Sequence, residues 1–158
     1  WDEAVIDTAS AALQRGAPIL CDCEMVAAGI TRRFLPADNQ VTVTLNDACV
    51  PALAKTLSTT RSAAAVTLWE PYLDGAIIAI GNAPTALFAV LELIESTRIQ
   101  PAAILGFPVG FVGAAESKDA LCEAAACPFI TLTGTRGGSA LASAAVNALC
   151  RIATGDKQ

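Results

Sequence analysis

Five times along its length the chain passes from a short apolar run, across a turn, into a stretch with helical apolar spacing. No other feature constrains the fold as much, because strands that alternate with helices favour a parallel sheet covered on both faces. The apolar runs are Pro18–Cys21, Val41–Leu45, Ala76–Ile80, Ala102–Leu105 and Phe129–Thr133. The third is apolar throughout, as a central parallel strand shielded on both sides should be. Val41–Leu45 alternates Val and Thr, which suits the pleated surface of a strand.

The spacing predicts helices at Ala4–Ala12, closed by Gly16, and at Cys23–Ala28, with Asp22 as N-cap and Gly29 at its end. Further helices are expected at Pro51–Leu57, Thr60–Tyr72, Pro84–Glu95, Ala114–Ala126 and Ser139–Ile152, with Thr31–Gln40 as a loop. Pro84 stands where a first helical turn tolerates proline. The expected fold class is therefore α/β: three α/β/α layers around a five-stranded, mainly parallel sheet. With no linker or low-complexity segment, residues 1–158 read as a single domain, long enough to bury about two-thirds of the surface its unfolded form exposes.

Composition narrows the function classes. Hydrophobic residues make up 54%, yet stretches such as Gly75–Ile80 and Ala83–Leu93 fall well short of the ~20 apolar residues that a bilayer requires, so no membrane partner is expected. A net charge of −5 argues against nucleic acid, which is held by a basic surface. It leaves room for an anionic ligand, because a few cations in a cleft decide that locally. The six cysteines show no paired CxxC spacing, and there is no histidine to complete a mixed metal site. They read as buried or semi-buried free thiols of a cytoplasmic protein, and no metal site is expected.

In open parallel sheets ligands bind beyond the carboxyl ends of the strands. Three loops there have unusual composition: Gly81–Thr85, Gly106–Gly113 and Gly134–Ser139. Their glycines let backbone N–H groups approach a ligand, with helix N-termini just behind. Arg61, Lys118 and Arg136 lie near these loops as candidate carboxylate holders, or as surface ion-pair partners of groups such as Glu24 and Glu116. Neither a Walker loop nor a strand-borne GxGxxG occurs, so nucleotide phosphate is weakly supported. Without histidine, a serine or cysteine nucleophile lacks its usual base.

The strings GAPILCDCEMVAAGITR, TTRSAAA, AIGNAPTALF, PAAILGFPVGFVGAAESKDAL and RGGSALASAAVNAL, in that order, closely resemble the precorrin-8X (or cobalt-precorrin-8) methylmutase family over nearly the whole chain. The resemblance implies a flavodoxin-like fold, a homodimer, and migration of a methyl group from ring carbon 11 to ring carbon 12 of precorrin-8X or its cobalt form. An intramolecular rearrangement implies no organic cofactor. Implied substrate-binding positions are Thr60, Arg61 and Ser62; Asn82 and Thr85; Gly110, Phe111 and Val112; Ser117 and Lys118; and Arg136, Gly137, Gly138 and Ser139. Pro108 is a further candidate to face the macrocycle. The family's acid–base histidine lies on a segment upstream of the matched strings, so no catalytic residue is expected within this chain. A chain opening at Trp1 inside a helical pattern is expected to lack that N-terminal segment. If so, this chain would be the binding core of the isomerase; otherwise it would be a histidine-free corrinoid-binding protein.

Overall fold

The computed structural model describes residues 1–155; the last three positions of the expected 1–158 domain, 156–158, lie outside the described residues. Five strands form one sheet: β1 (Ile19–Cys21), β2 (Val41–Val43), β3 (Ile77–Ile80), β4 (Ala103–Gly106) and β5 (Phe129–Thr131). Their order is β2-β1-β3-β4-β5, and every neighbouring pair is parallel. This is the flavodoxin-like doubly wound order, whose strand sequence reverses direction between β1 and β3. The expected sheet is thus present, and it is parallel throughout rather than mainly so.

Strand periodicity sorts the core into two layers. Ile19, Cys21, Ile77, Ala79, Ala103 and Leu105 enter one apolar cluster, while Leu20, Ile78, Ile80 and Ile104 enter the other. Successive side chains point to opposite faces, so each central strand contributes to both. Helices α1 (Val5–Gln14), α2 (Glu24–Gly29) and α7 (Ser139–Thr154) cover the first face. Their contacts are rich in alanine and cysteine, including Ala9, Ala12, Ala27, Ala142 and Cys150, and such short side chains let helices lie close. The other face takes larger groups from α4 (Arg61–Val66), α5 (Pro84–Thr97) and α6 (Ala114–Ala124), with Trp69 and Leu73 between them. A smaller cluster joins α3 (Val50–Thr56) to α4.

The expected helix from Thr60 to Tyr72 divides at its middle. It is α-helical only over α4 and continues as a 3-10 segment, Thr67–Tyr72, containing Pro71. Proline has no N–H for the i−4 bond, and its ring collides with the carbonyl four residues back, here Thr67. The tighter segment carries Trp69 inward, where its indole N–H donates to Thr44 Oγ1 at 2.8 Å and that hydroxyl donates to the Ala65 carbonyl at 2.8 Å. The expected loop 31–40 contains one 3-10 turn, Arg32–Phe34. Two thiols also depart from expectation: Cys49 and Cys122 are exposed, whereas the other four are buried, all six being unbridged.

Candidate active site

The three loops singled out in the sequence stand side by side at the carboxyl edge of the sheet. Gly113 meets Pro84 at the start of α5, with 3.4 Å between the Pro84 Cβ and the position a Gly113 Cβ would take. The Gly138 N–H donates to the Phe107 carbonyl at 2.8 Å, and Thr131 Oγ1 donates to the Gly106 carbonyl at 2.6 Å. Gly137 packs so tightly on this loop that a Cβ there would overlap the carbonyl oxygens of Phe107 and Pro108. The β4–α6 and β5–α7 loops are therefore zipped into one surface.

Against that surface lies a cavity of about 570 Å³ lined by Val109, Gly110, Phe111, Leu132, Thr135, Arg136, Gly137 and Leu141. Phe111 is 98% exposed and Val112 89%, and Val109, Leu132 and Leu141 are also open to solvent. Large apolar groups held in water on one rim mark a binding surface. Arg136 sits exposed among them. Pro108, in contrast, is buried.

Thr60, Arg61, Ser62, Asn82 and Thr85 gather at the neighbouring end of the edge. Thr60 caps α4 by accepting the Ala63 N–H at 3.1 Å, and donates its own proton to Thr85 Oγ1 at 2.9 Å. The Thr60 hydroxyl is thereby committed, whereas Thr85 keeps its O–H proton for another partner. Asn82 is exposed and Ser62 half-buried. The Arg61 guanidinium reaches the Leu45 carbonyl at 3.3 Å and Asn46 Oδ1 at 3.4 Å from an exposed position.

The remaining candidates are turned inward. Ser117 is fully buried and donates to the Ala114 carbonyl at 3.1 Å, one turn back in its own helix. Lys118 has no exposed surface; its ammonium donates to the Arg136 carbonyl at 2.6 Å, and burial holds its pKa below the usual lysine value. Ser139 is buried against Cys23, with 3.5 Å between Oγ and Sγ. Desolvation raises two of the buried thiols, Cys150 being pushed up to about 11 and Cys127 to about 12, so neither is a ready nucleophile at neutral pH.

Asp22 has a different role from the one expected. Cys23 holds the N-cap position of α2 without a side-chain cap bond. The Asp22 carboxylate instead accepts three backbone N–H groups of the β3–α5 loop: Gly81 at 3.0 Å, Asn82 at 2.8 Å and Ala83 at 2.8 Å. The amides expected to cradle a ligand in this loop are thus occupied by the protein's own anion. Its position just after a buried strand was the available signal; its partners, about sixty residues away, were not.

A doubly wound α/β domain with an apolar shelf and an exposed arginine at its strand carboxyl edge defines a class of protein that takes its ligand at that edge. Comparison with known proteins makes this specific: the sequence profile of the precorrin-8X methylmutase family matches residues 1–152, and the chain belongs to that family. It is 58% identical over 147 residues to the precorrin-8X methylmutase of Sinorhizobium sp., covering 92% of this chain and 70% of the relative. The cobalt-precorrin-8 methylmutase of Priestia megaterium is 39% identical over 143 residues, covering 90% of this chain and 63% of that one. The crystal structure of the precorrin-8X methylmutase from Thermus thermophilus superimposes with a TM-score of 0.85 at 39% identity, over 98% of this chain and 75% of that one. The function is that of an isomerase of cobalamin biosynthesis, a methylmutase.

Proposed function

We propose that the substrate is the metal-free precorrin-8X, bound across the carboxyl edge of the sheet, and that its methyl group moves there from ring carbon 11 to ring carbon 12. The observation that carries this reading is the pairing of an exposed apolar shelf, Phe111, Val109 and Leu132, with Arg136 in the same cavity. A flat macrocycle edged with carboxylates needs both. Apolar side chains cover its face, and an arginine fork engages a peripheral carboxylate. The 58% identity to a precorrin-8X methylmutase, against 39% to a cobalt-precorrin-8 methylmutase, favours the metal-free form.

In this reaction one carbon–carbon bond breaks and another forms within one molecule. Atoms and electrons balance without an oxidant, a reductant or a methyl donor. What the protein must supply is a fixed macrocycle conformation and a path for a proton. Thr85, with its hydroxyl proton uncommitted, and the exposed Asn82 amide are polar groups offered to the macrocycle edge. No imidazole among these 158 residues takes part in the proton movement, since the chain contains no histidine. A cytoplasmic homodimer is the working assembly we propose.

The test is spectroscopic. The full-length protein, which would carry the family's acid–base histidine, should shift the absorption spectrum of precorrin-8X to that of hydrogenobyrinate with no other reagent. Tight binding without spectral conversion would instead identify a corrinoid-binding protein, and conversion of the cobalt form alone would reverse the choice of substrate. Size-exclusion chromatography with light scattering reads the dimer.

A further inference from the structure

The least expected polar arrangement in the molecule lies at the switch point between β1 and β3. Asp22 is only 4% exposed, and both of its carboxylate oxygens are engaged by consecutive N–H groups of residues 81–83. Bonds to an ionised acceptor at 2.8–3.0 Å are about twice as strong as neutral ones, and a concave run of amides is a natural anion seat. The loop has little freedom beyond this. A Cβ on Gly81 would lie 2.6 Å from the Ser139 Cα and 2.7 Å from Val26 Cγ2, so the loop is also pressed against the start of α7.

From this geometry we infer that Asp22 is a positioning residue of the isomerase site. It fills the amide seat of the β3–α5 loop and so sets the angle at which Asn82 and Thr85 meet the substrate. The inference rests on the reading that this loop borders the corrinoid. It adds two things. The loop engages substrate through side chains, its amides being taken, and substrate carboxylates are thereby directed to the Arg136 end of the edge. The bond from Thr60 to Thr85 braces the same loop from the α4 side.

Asp22→Asn keeps the shape but loses the charge and offers an N–H₂ where an acceptor is required. In the full-length enzyme its kcat for precorrin-8X should fall about 10²-fold, the scale for a misplacement of about 1 Å, while KM changes less than about threefold. Asp22→Ala should lose at least as much kcat and regain part of it in sodium formate, whose carboxylate fits the vacated seat. Sodium chloride at equal ionic strength should not restore it. Leu73→Ala and Ile94→Val, buried on the α4–α6 face away from the edge, supply stability controls that should retain wild-type kcat well below their unfolding temperatures.

An Asp22→Asn enzyme with unchanged kcat would overturn the inference. So would a loss that tracks thermal stability equally in the controls, or that formate and chloride relieve alike. Full-length wild-type protein that leaves precorrin-8X unconverted would count against the substrate reading instead. The formate effect can then be read separately, as a formate-dependent rise in the melting temperature of Asp22→Ala that wild type lacks.

Discussion

The Lys118 ammonium, with no surface exposed to solvent, donates a 2.6 Å hydrogen bond to the backbone carbonyl of Arg136. This single bond fastens α6 beneath the β5–α7 turn and leaves the Arg136 side chain outside. A lysine buried in this way is placed to hold the turn and not to meet a ligand. Its depressed pKa, caused chiefly by desolvation and opposed by Asp119, records the cost of keeping a charge there.

Replacing Lys118 by Met should therefore have a small global effect and a large local one. Losing a bond from a charged donor costs about 1.5–3 kcal/mol, while removing the desolvated charge offsets much of it. We expect the urea midpoint to move little. Amide exchange at Gly138, whose N–H is bonded to the Phe107 carbonyl, should accelerate at least tenfold. Unchanged exchange at Gly138 would show that the turn holds without the lysine.

Arg136→Ala should separate binding from folding. The clamp from Lys118 uses the Arg136 carbonyl, which alanine retains, and the guanidinium is exposed. Affinity for hydrogenobyrinate should fall about 10–100-fold, the weight of one bond to a charged group, with the melting temperature unchanged. Isothermal titration and a thermal melt together decide it.

Gly81 tolerates no side chain. With Ser139 Cα at 2.6 Å and Val26 Cγ2 at 2.7 Å from the site of a Cβ, even alanine must displace the backbone of α7. Gly81→Ala should cost about 1–3 kcal/mol and Gly81→Val more, through overpacking. Denaturant melts of the two variants give the order. Gly134→Ala serves as a contrast: open space surrounds that position, and its φ of +77° alone supplies a smaller penalty.

Alkaline pH should destabilise the fold. Burial raises the Cys150 thiol to about 11 and the Cys127 thiol to about 12, with Asp2 adding to the latter. Cys21 is raised as well, by burial first and by Asp22 second. An unfolded thiol ionises near 9.0 while the folded one keeps its proton, so the stability these groups contribute is complete below pH 9 and is lost above it. Lys118 acts in the opposite sense: folded, it gives up its proton before the unfolded group does at 10.5, so its share rises with pH. Three thiols outweigh one amine. The free energy of unfolding should fall above pH 9, by about 1.4 kcal/mol per pH unit for each net proton released on unfolding. Cys150→Ala should shallow that slope in urea melts under reducing conditions, despite a lower starting stability.

Much of this protein was legible in its residue order. Apolar runs of four or five residues located all five strands, and apolar spacing located every α-helix to within a few residues, because both patterns are set by neighbours a turn or a pleat away. The family was legible as well, in long strings such as AIGNAPTALF and PVGFVGAAESKDAL. The three glycine-rich loops were correctly placed at one edge, since parallel strands put all their carboxyl ends there. In secondary structure, local pattern misled where one residue overrode it, as Pro71 did in breaking a helix that the apolar spacing carried through to Tyr72.

Tertiary structure alone decided the strand order β2-β1-β3-β4-β5 and the partners of the buried charges. Asp22 reads as a helix cap because capping is the local use of an aspartate after a strand, yet its acceptors are filled by amides 59 to 61 residues away. Lys118 reads as a ligand cation because it follows a glycine-rich loop, yet packing of α6 on the sheet carries it under Arg136. The physical reason is the same in both cases. A buried charge takes whatever complementary group the completed fold brings within hydrogen-bond distance, and that is a property of long-range contacts, which no short window of residues contains.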